Sequence, residues 1–100
     1  MVSVRLRRAA ENDLVHIGLE SRANWGQAQM ERTLHGLDEA LQLLTATPSL
    51  GSKCDEIRPG YRRLKVASHL IYYRLDASGD VDVVRILHCK MGPYLQLRLH

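Results

Sequence analysis

The sequence has 100 residues, of which 45% are hydrophobic and 25% charged, with a net charge of +3. That length holds one domain, 1–100; the composition excludes a disordered chain, and no apolar run approaches the roughly 20 residues that span a membrane. The charge is uneven: five Arg face six Asp or Glu in residues 1–50, and nine Lys or Arg face five acids in residues 51–100. A basic second half suits an acidic protein or a nucleic acid, or is simply a solvated face.

In chain order, Val2 to Leu6 alternates and predicts a short strand. Arg5, Arg7 and Arg8 break any apolar leader, and Cys54 and Cys89 are too few for a disulfide framework. Both features point to a reducing cytoplasm. Ala10, Leu14, Ile17 and Ser21 then follow the helix period, with Glu11 and Asp13 in the first turn, where negative charge is favoured. Gly26, after Asn24 and Trp25, is the expected stop. Met30, Leu34, Leu37, Leu41 and Leu44 mark a second helix, whose stripe Ala40 and Leu43 widen. Thr47-Pro48 ends it. A link this short predicts an antiparallel helical hairpin.

Residues 48–60 read as a loop. Three strand-like runs follow: Tyr61 to Val66, Leu70 to Leu75 and Val81 to Leu87. Tight turns at 67–69 and 76–80 make them antiparallel. The architecture predicted is α+β: a short N-terminal strand, a helical hairpin, then a three-stranded antiparallel meander, β-α-α-β-β-β. In the last run Val81, Val83, Arg85 and Leu87 alternate with Asp82, Val84, Ile86 and His88, and neither side is cleanly polar. With no phenylalanine, the core falls to Leu, Ile, Val and Ala, with Trp25 and the tyrosines adding bulk.

The five histidines and two cysteines have no metal-ligand spacing. His88 and Cys89 are strand neighbours aimed at opposite faces, and His69 sits in a turn expected to face solvent. No phosphate loop or nucleophilic triad is present. What stands out is Arg58, Arg62, Arg63, Lys65, Arg74, Arg85 and Lys90 interleaved with Tyr61, Tyr72, Tyr73 and Tyr94. Guanidinium groups hold phosphates and rings stack on bases, as an RNA surface requires. Arg and Tyr are equally enriched at protein interfaces, and a mixed surface with rings half in the core has the same composition.

Several segments together resemble the ParE toxins of the RelE/ParE superfamily. They are Ala9-Ala10-Glu11-Asn12-Asp13-Leu14-Val15-His16-Ile17, Trp25-Gly26-Gln27-Ala28, Pro48-Ser49-Leu50-Gly51, Arg58-Pro59-Gly60-Tyr61-Arg62-Arg63, His69-Leu70-Ile71-Tyr72-Tyr73-Arg74 and Val83-Val84-Arg85-Ile86-Leu87-His88. Their order over about residues 5–91 matches the family's, and the elements read from periodicity agree. Ser21 stands where many relatives carry an aromatic, and Gly92 where they carry an acid.

The resemblance implies the toxin of a type II toxin-antitoxin system. Such a toxin acts on DNA gyrase without enzymatic chemistry, cofactor or metal. It is neutralised in a hetero-oligomer by a ParD-like antitoxin whose disordered part folds around it. By position and charge the expected target contacts are Arg85, His88, Lys90 and Met91, with Arg62 and Arg63. A RelE-like ribosome-dependent mRNA endonuclease is the alternative, drafting Tyr94, His88, Arg85 and Arg62 as acid, base and phosphate clamps.

Overall fold

The computed structural model describes residues 2–89. Strand β1 (Val4–Leu6) leads into helix α1 (Arg8–Trp25) and helix α2 (Gln27–Ala46). Strands β2 (Ser52–Lys53), β3 (Tyr61–Val66), β4 (His69–Leu75) and β5 (Val81–His88) follow. The predicted order is present, and the sheet gains two members at its edges. Its order is β1-β5-β4-β3-β2. The first strand lies parallel to the last, Val4 opposite Val81. Two residues of the predicted 48–60 loop, Ser52 and Lys53, pair with Arg63 and Arg62.

Each helix boundary has a local cause. Gly26 takes φ 89°, a left-handed value that a side chain disfavours, and so turns α1 sharply into α2. Its amide donates to the Arg22 carbonyl at 3.0 Å, closing α1. Helix α2 ends before Pro48, with the Thr47 amide donating to Leu43 O at 2.9 Å.

The inner face of the sheet and the hairpin share the main core. Ala10 and Ile17 come from α1, and Leu37, Ala40 and Leu44 from α2. They pack on Ile71, Tyr73, Val81, Val83 and Ile86. Leu34 and Leu41 flank this core, each half-buried. Burying each large side chain contributes about 1.5–3 kcal/mol. Two predicted core members lie outside: Leu43 is 57% exposed and Trp25 is 75% exposed. Leu43 stands off the 37/40/44 line, and Trp25 sits at the hairpin tip, beyond the end of the sheet's cover.

The predicted alternation of the last strand fails at a bulge. Tyr72 pairs with Arg85 and Tyr73 with Val83, so Val84 has no partner of its own. One extra residue reverses the facing of everything after it. Val81, Val83 and Ile86 therefore enter the helix-side core. Val84 and Leu87 join Tyr72 and Cys54 on the outer face. Ile57, from the segment between β2 and β3, packs on this second cluster with Tyr61 and Leu70. Arg85 lies at the same bulge.

Two polar devices pin the layers. The Tyr73 hydroxyl accepts from the Gly51 amide at 2.8 Å and donates to the Pro48 carbonyl at 2.8 Å. Gly51 is needed there because a Cβ would stand 2.7 Å from that hydroxyl and 2.8 Å from the Arg63 carbonyl oxygen. The second device is Asp13, which binds Arg85 in a fork at 2.7 and 2.8 Å and also accepts the Ile86 amide at 2.9 Å.

Each device predicts a measurable loss. Asp13→Ala leaves a guanidinium that is only 12% exposed facing an emptied site, and is expected to cost about 3 kcal/mol, with a smaller loss for the Asp13→Ala/Arg85→Met pair. Urea unfolding of the single and double variants checks this. Tyr73→Phe, which removes both ends of the loop's tether, is expected to cost about 2 kcal/mol in the same measurement.

Candidate functional site

The residues singled out from sequence fall in three places. Arg62, on β3, donates from Nη1 to the Gly51 carbonyl at 2.8 Å and the Ser49 carbonyl at 3.3 Å. It holds the loop after α2, beside the Tyr73 tether. Arg63 is its neighbour and points the other way, to the outer face, where its positive charge acts on Tyr72 and Cys54. Burial nevertheless dominates at both groups: it pushes the Tyr72 hydroxyl and the Cys54 thiol up, and Arg63 only tempers this. A buried thiol held protonated is a poor nucleophile. Cys54 and the exposed Cys89 are both free thiols.

Arg85 and His88 lie at the far end of β5, against α1. Strand β1 stops pairing there: the Arg7 amide makes the last bond, to Val83 O at 3.0 Å. Beyond Val83 the Asp13 carboxylate takes over, accepting from Ile86 as a neighbouring strand's carbonyl would. The fork with Asp13 holds the Arg85 guanidinium above its ordinary range, against the opposing effect of burial. Arg85 therefore serves first as the partner that compensates the half-buried Asp13 carboxylate. Lys90, Met91 and Tyr94 lie outside the described residues.

His88 pairs across the strands with His69. The imidazole centroids are 5.4 Å apart, edge to face at 78°. His69 is half-buried on the helix side rather than facing solvent, because the pairing sets its side chain on the face shared by Ile71 and Tyr73. Burial, and then His88, hold its imidazole below the ordinary range, against a smaller opposite pull from Glu20. Around this pair run two connected clefts. One of about 280 Å³ is lined by Asp13, His16, Glu20, Arg85 and His88. The other, of about 410 Å³, reaches Trp25 at the hairpin tip.

The outer face is different in character. Tyr61, Arg63, Lys65, Leu70, Tyr72 and Arg74 share it by register. At its margin Arg7 forks onto Asp82 at 3.1 and 2.8 Å. The basic-plus-tyrosine set read from sequence is therefore split: Arg63, Lys65 and Arg74 lie on the outer face, and Arg62 and Arg85 are tied into the frame. Strand β4 stands between Arg62 and Arg85. No three His, Cys, Asp or Glu side chains among the described residues are placed to hold a metal.

The comparisons with known proteins decide the family. The model of the ParE toxin of type II toxin-antitoxin systems, parDE, matches residues 4–93. The chain belongs to the ParE toxins. Among curated relatives, Toxin ParE1 of Mycobacterium tuberculosis is 43% identical over 86 residues, covering 86% of this chain and 88% of that one. Toxin ParE1 of Caulobacter vibrioides is 32% identical over 92 residues, covering 92% and 94%. A solved chain of the chromosomal ParDE TA system from P. aeruginosa superposes with TM-score 0.78, at 20% identity, over 90% of this chain and 98% of that one. It shares the fold: a short strand, a helical hairpin and a mixed sheet. This ParE chain is thus a toxin of a type II system, and among its described residues no helix is long and apolar enough to cross a membrane.

Sequence reasoning placed Asp13 in this ParE chain as a helix-terminus charge and missed its role as a strand-edge acceptor. It also missed the pairing of His69 with His88, since the register across a turn is invisible until the strands are aligned.

The His69 environment predicts a pH dependence. Folding makes the imidazole harder to protonate, so the unfolded chain binds the extra proton. Stability is therefore full above the ordinary imidazole range and declines as pH falls through that range toward the lowered folded value. His16, Glu20 and His88 face the same cleft. The urea midpoint is expected to drop from about pH 7.5 to about pH 5, and His69→Asn to flatten part of that slope.

Proposed function

We propose that this member of the ParE family poisons DNA gyrase in the cytoplasm, without enzymatic chemistry, and is held inactive in a hetero-oligomer by a ParD-like antitoxin. The observation that carries the reading is the division of the molecule into two unlike surfaces. One is the basic outer face of the sheet, with the β5 end. The other is an apolar groove of about 370 Å³ on the helical hairpin, lined by Leu14, Val15, Leu34 and Leu41 with Asp38 beside them. Next to it Val15 is 60% and Leu19 58% exposed. Large apolar side chains left in water on so small a domain mark a protein contact. An amphipathic antitoxin segment that orders on binding suits such a groove. The relatives and the ParDE neighbour support the pairing.

The proposed target contacts lie away from that groove: Arg63 on the outer face and His88 at the end of β5, with Arg62 and Arg85 holding those strands. Lys90 and Met91, outside the described residues, are proposed as contacts by charge and sequence position alone. Their charge suits the acidic partner expected of a basic half-chain. The endonuclease alternative needs Arg62, Arg85 and His88 around one phosphate. Arg62 and Arg85 are instead separated by a strand and each is engaged with the frame.

Purified protein, added to gyrase with supercoiled plasmid and ATP, is expected to accumulate cleaved plasmid. Lys90→Glu is expected to lower that yield about tenfold, the order of one lost charge contact. Unaffected gyrase together with ribosome-dependent mRNA cleavage would overturn the reading in favour of the endonuclease. On the opposite surface, Val15→Asp with Leu19→Asp is expected to weaken antitoxin binding about a hundredfold while leaving gyrase trapping intact. Loss of both activities in a folded variant would show that the two surfaces are not separate.

A further inference from the structure

The cleft between the hairpin tip and the β4–β5 end differs in chemistry from the basic chain around it. Its lining includes Glu20, Asn24, Trp25, His69 and His88 in a volume of about 410 Å³. Among the described lining residues Glu20 is the one formal charge at neutral pH, and no ion pair among the described residues engages it. Trp25, the chain's single tryptophan, is 75% exposed at the rim, where Gly26 turns the backbone away. It offers an open indole face rather than bulk to the core. Two imidazoles set edge to face, 5.4 Å apart, complete the floor.

We propose that this cleft receives an arginine side chain presented by a protein partner. The indole of Trp25 stacks on the guanidinium, Glu20 pairs with its charge, and the His69 imidazole accepts from one of its N–H groups. Arginine fits better than lysine because a planar fork can stack and donate in several directions at once. A phosphate is disfavoured by Glu20. The neighbouring cations do not supply one: Arg85 is forked onto Asp13 at 2.7 Å, and Arg32, in the adjoining groove, donates to Gln29 at 2.9 Å. The charged and titratable groups facing the two connected clefts are Asp13, His16 and Glu20 from α1, and His69, Arg85 and His88 from the sheet. This inference goes beyond the gyrase and antitoxin reading and stands whichever surface those partners use.

The test is a titration of the full-length labelled protein with Nα-acetyl-L-arginine methylamide, followed by NMR at the Trp25 indole N–H and the His69 and His88 rings. Saturable shifts at all three are expected. The citrulline analogue, neutral but of the same shape, is expected to bind about tenfold more weakly, and Glu20→Gln to weaken the arginine probe about tenfold. Lowering the pH from about 7.5 to about 5.5 is expected to weaken it further, as His69 takes up a proton. No saturable shift, equal binding of citrulline, or the same shifts with inorganic phosphate would overturn the proposal. A Lys90→Gln/Arg98→Gln variant guards against self-occupancy: if it alone moves the Trp25 signal with no probe present, the chain's own cations fill the cleft and the proposal falls. Glu20 is exposed, and an unchanged amide spectrum in the Glu20→Gln variant confirms that its fold is intact.

Discussion

Where β1 runs out, the edge of β5 would meet a helix with its amides unsatisfied, and Asp13 resolves the conflict. Its carboxylate takes the Ile86 amide at 2.9 Å and the Arg85 fork at 2.7 and 2.8 Å. Removing either partner of this half-buried pair would leave the other charge without its counter-charge in a partly desolvated place. Paired, they tie α1 to the strand that lies between β1 and β4. Strand β5 touches β1 on one side and β4 on the other, and α1 packs across it. The bulge at Val84 sits just ahead of this clamp. It turns Ile86 inward to the core and Leu87 outward, so one polar contact and one extra residue together set which side chains each face presents.

The two faces are then free to differ. The inner face is closed by the hairpin, whose own outer side keeps Val15 and Leu19 in water. The outer face is capped only in part, by Ile57 and the segment around Cys54, and carries Arg63, Lys65 and Arg74 at its margins. A small domain cannot bury everything apolar that it carries. In this chain Val15 and Leu19 stand exposed on the helical hairpin, while Arg63, Lys65 and Arg74 lie on the outer face of the sheet. The two surfaces thus present different chemistry, one apolar and one basic. The end of the molecule, around Glu20, Trp25 and the histidine pair, is a third and distinct place.

The order of elements was legible without coordinates because it rests on local chemistry. The 3.6-residue spacing of Leu34, Leu37, Leu41 and Leu44, Gly26 as the hairpin's turn, and Pro48 as its end all follow from single-residue preferences and hold in the fold. The family was legible for a related reason: those local signals occur in a fixed order along the chain. The alternation of Val81 to His88 was legible only as far as Val83. A bulge depends on the partner strand's register, and nothing within β5 announces it.

By itself, then, the sequence determined the α+β architecture, the family, and the excess of cations in the second half. These depend on the period of apolar residues and on composition, which are properties of the chain. Only the tertiary structure decided that Asp13 serves the sheet rather than its own helix. Only it tied Arg62 and Arg85 into the frame while Arg63 faces outward, and set His69 beside His88 across a strand pair. Those are contacts between residues up to 73 positions apart. A carboxylate's or an imidazole's role is set by what surrounds it once the chain has closed, and spacing along the chain carries no record of that.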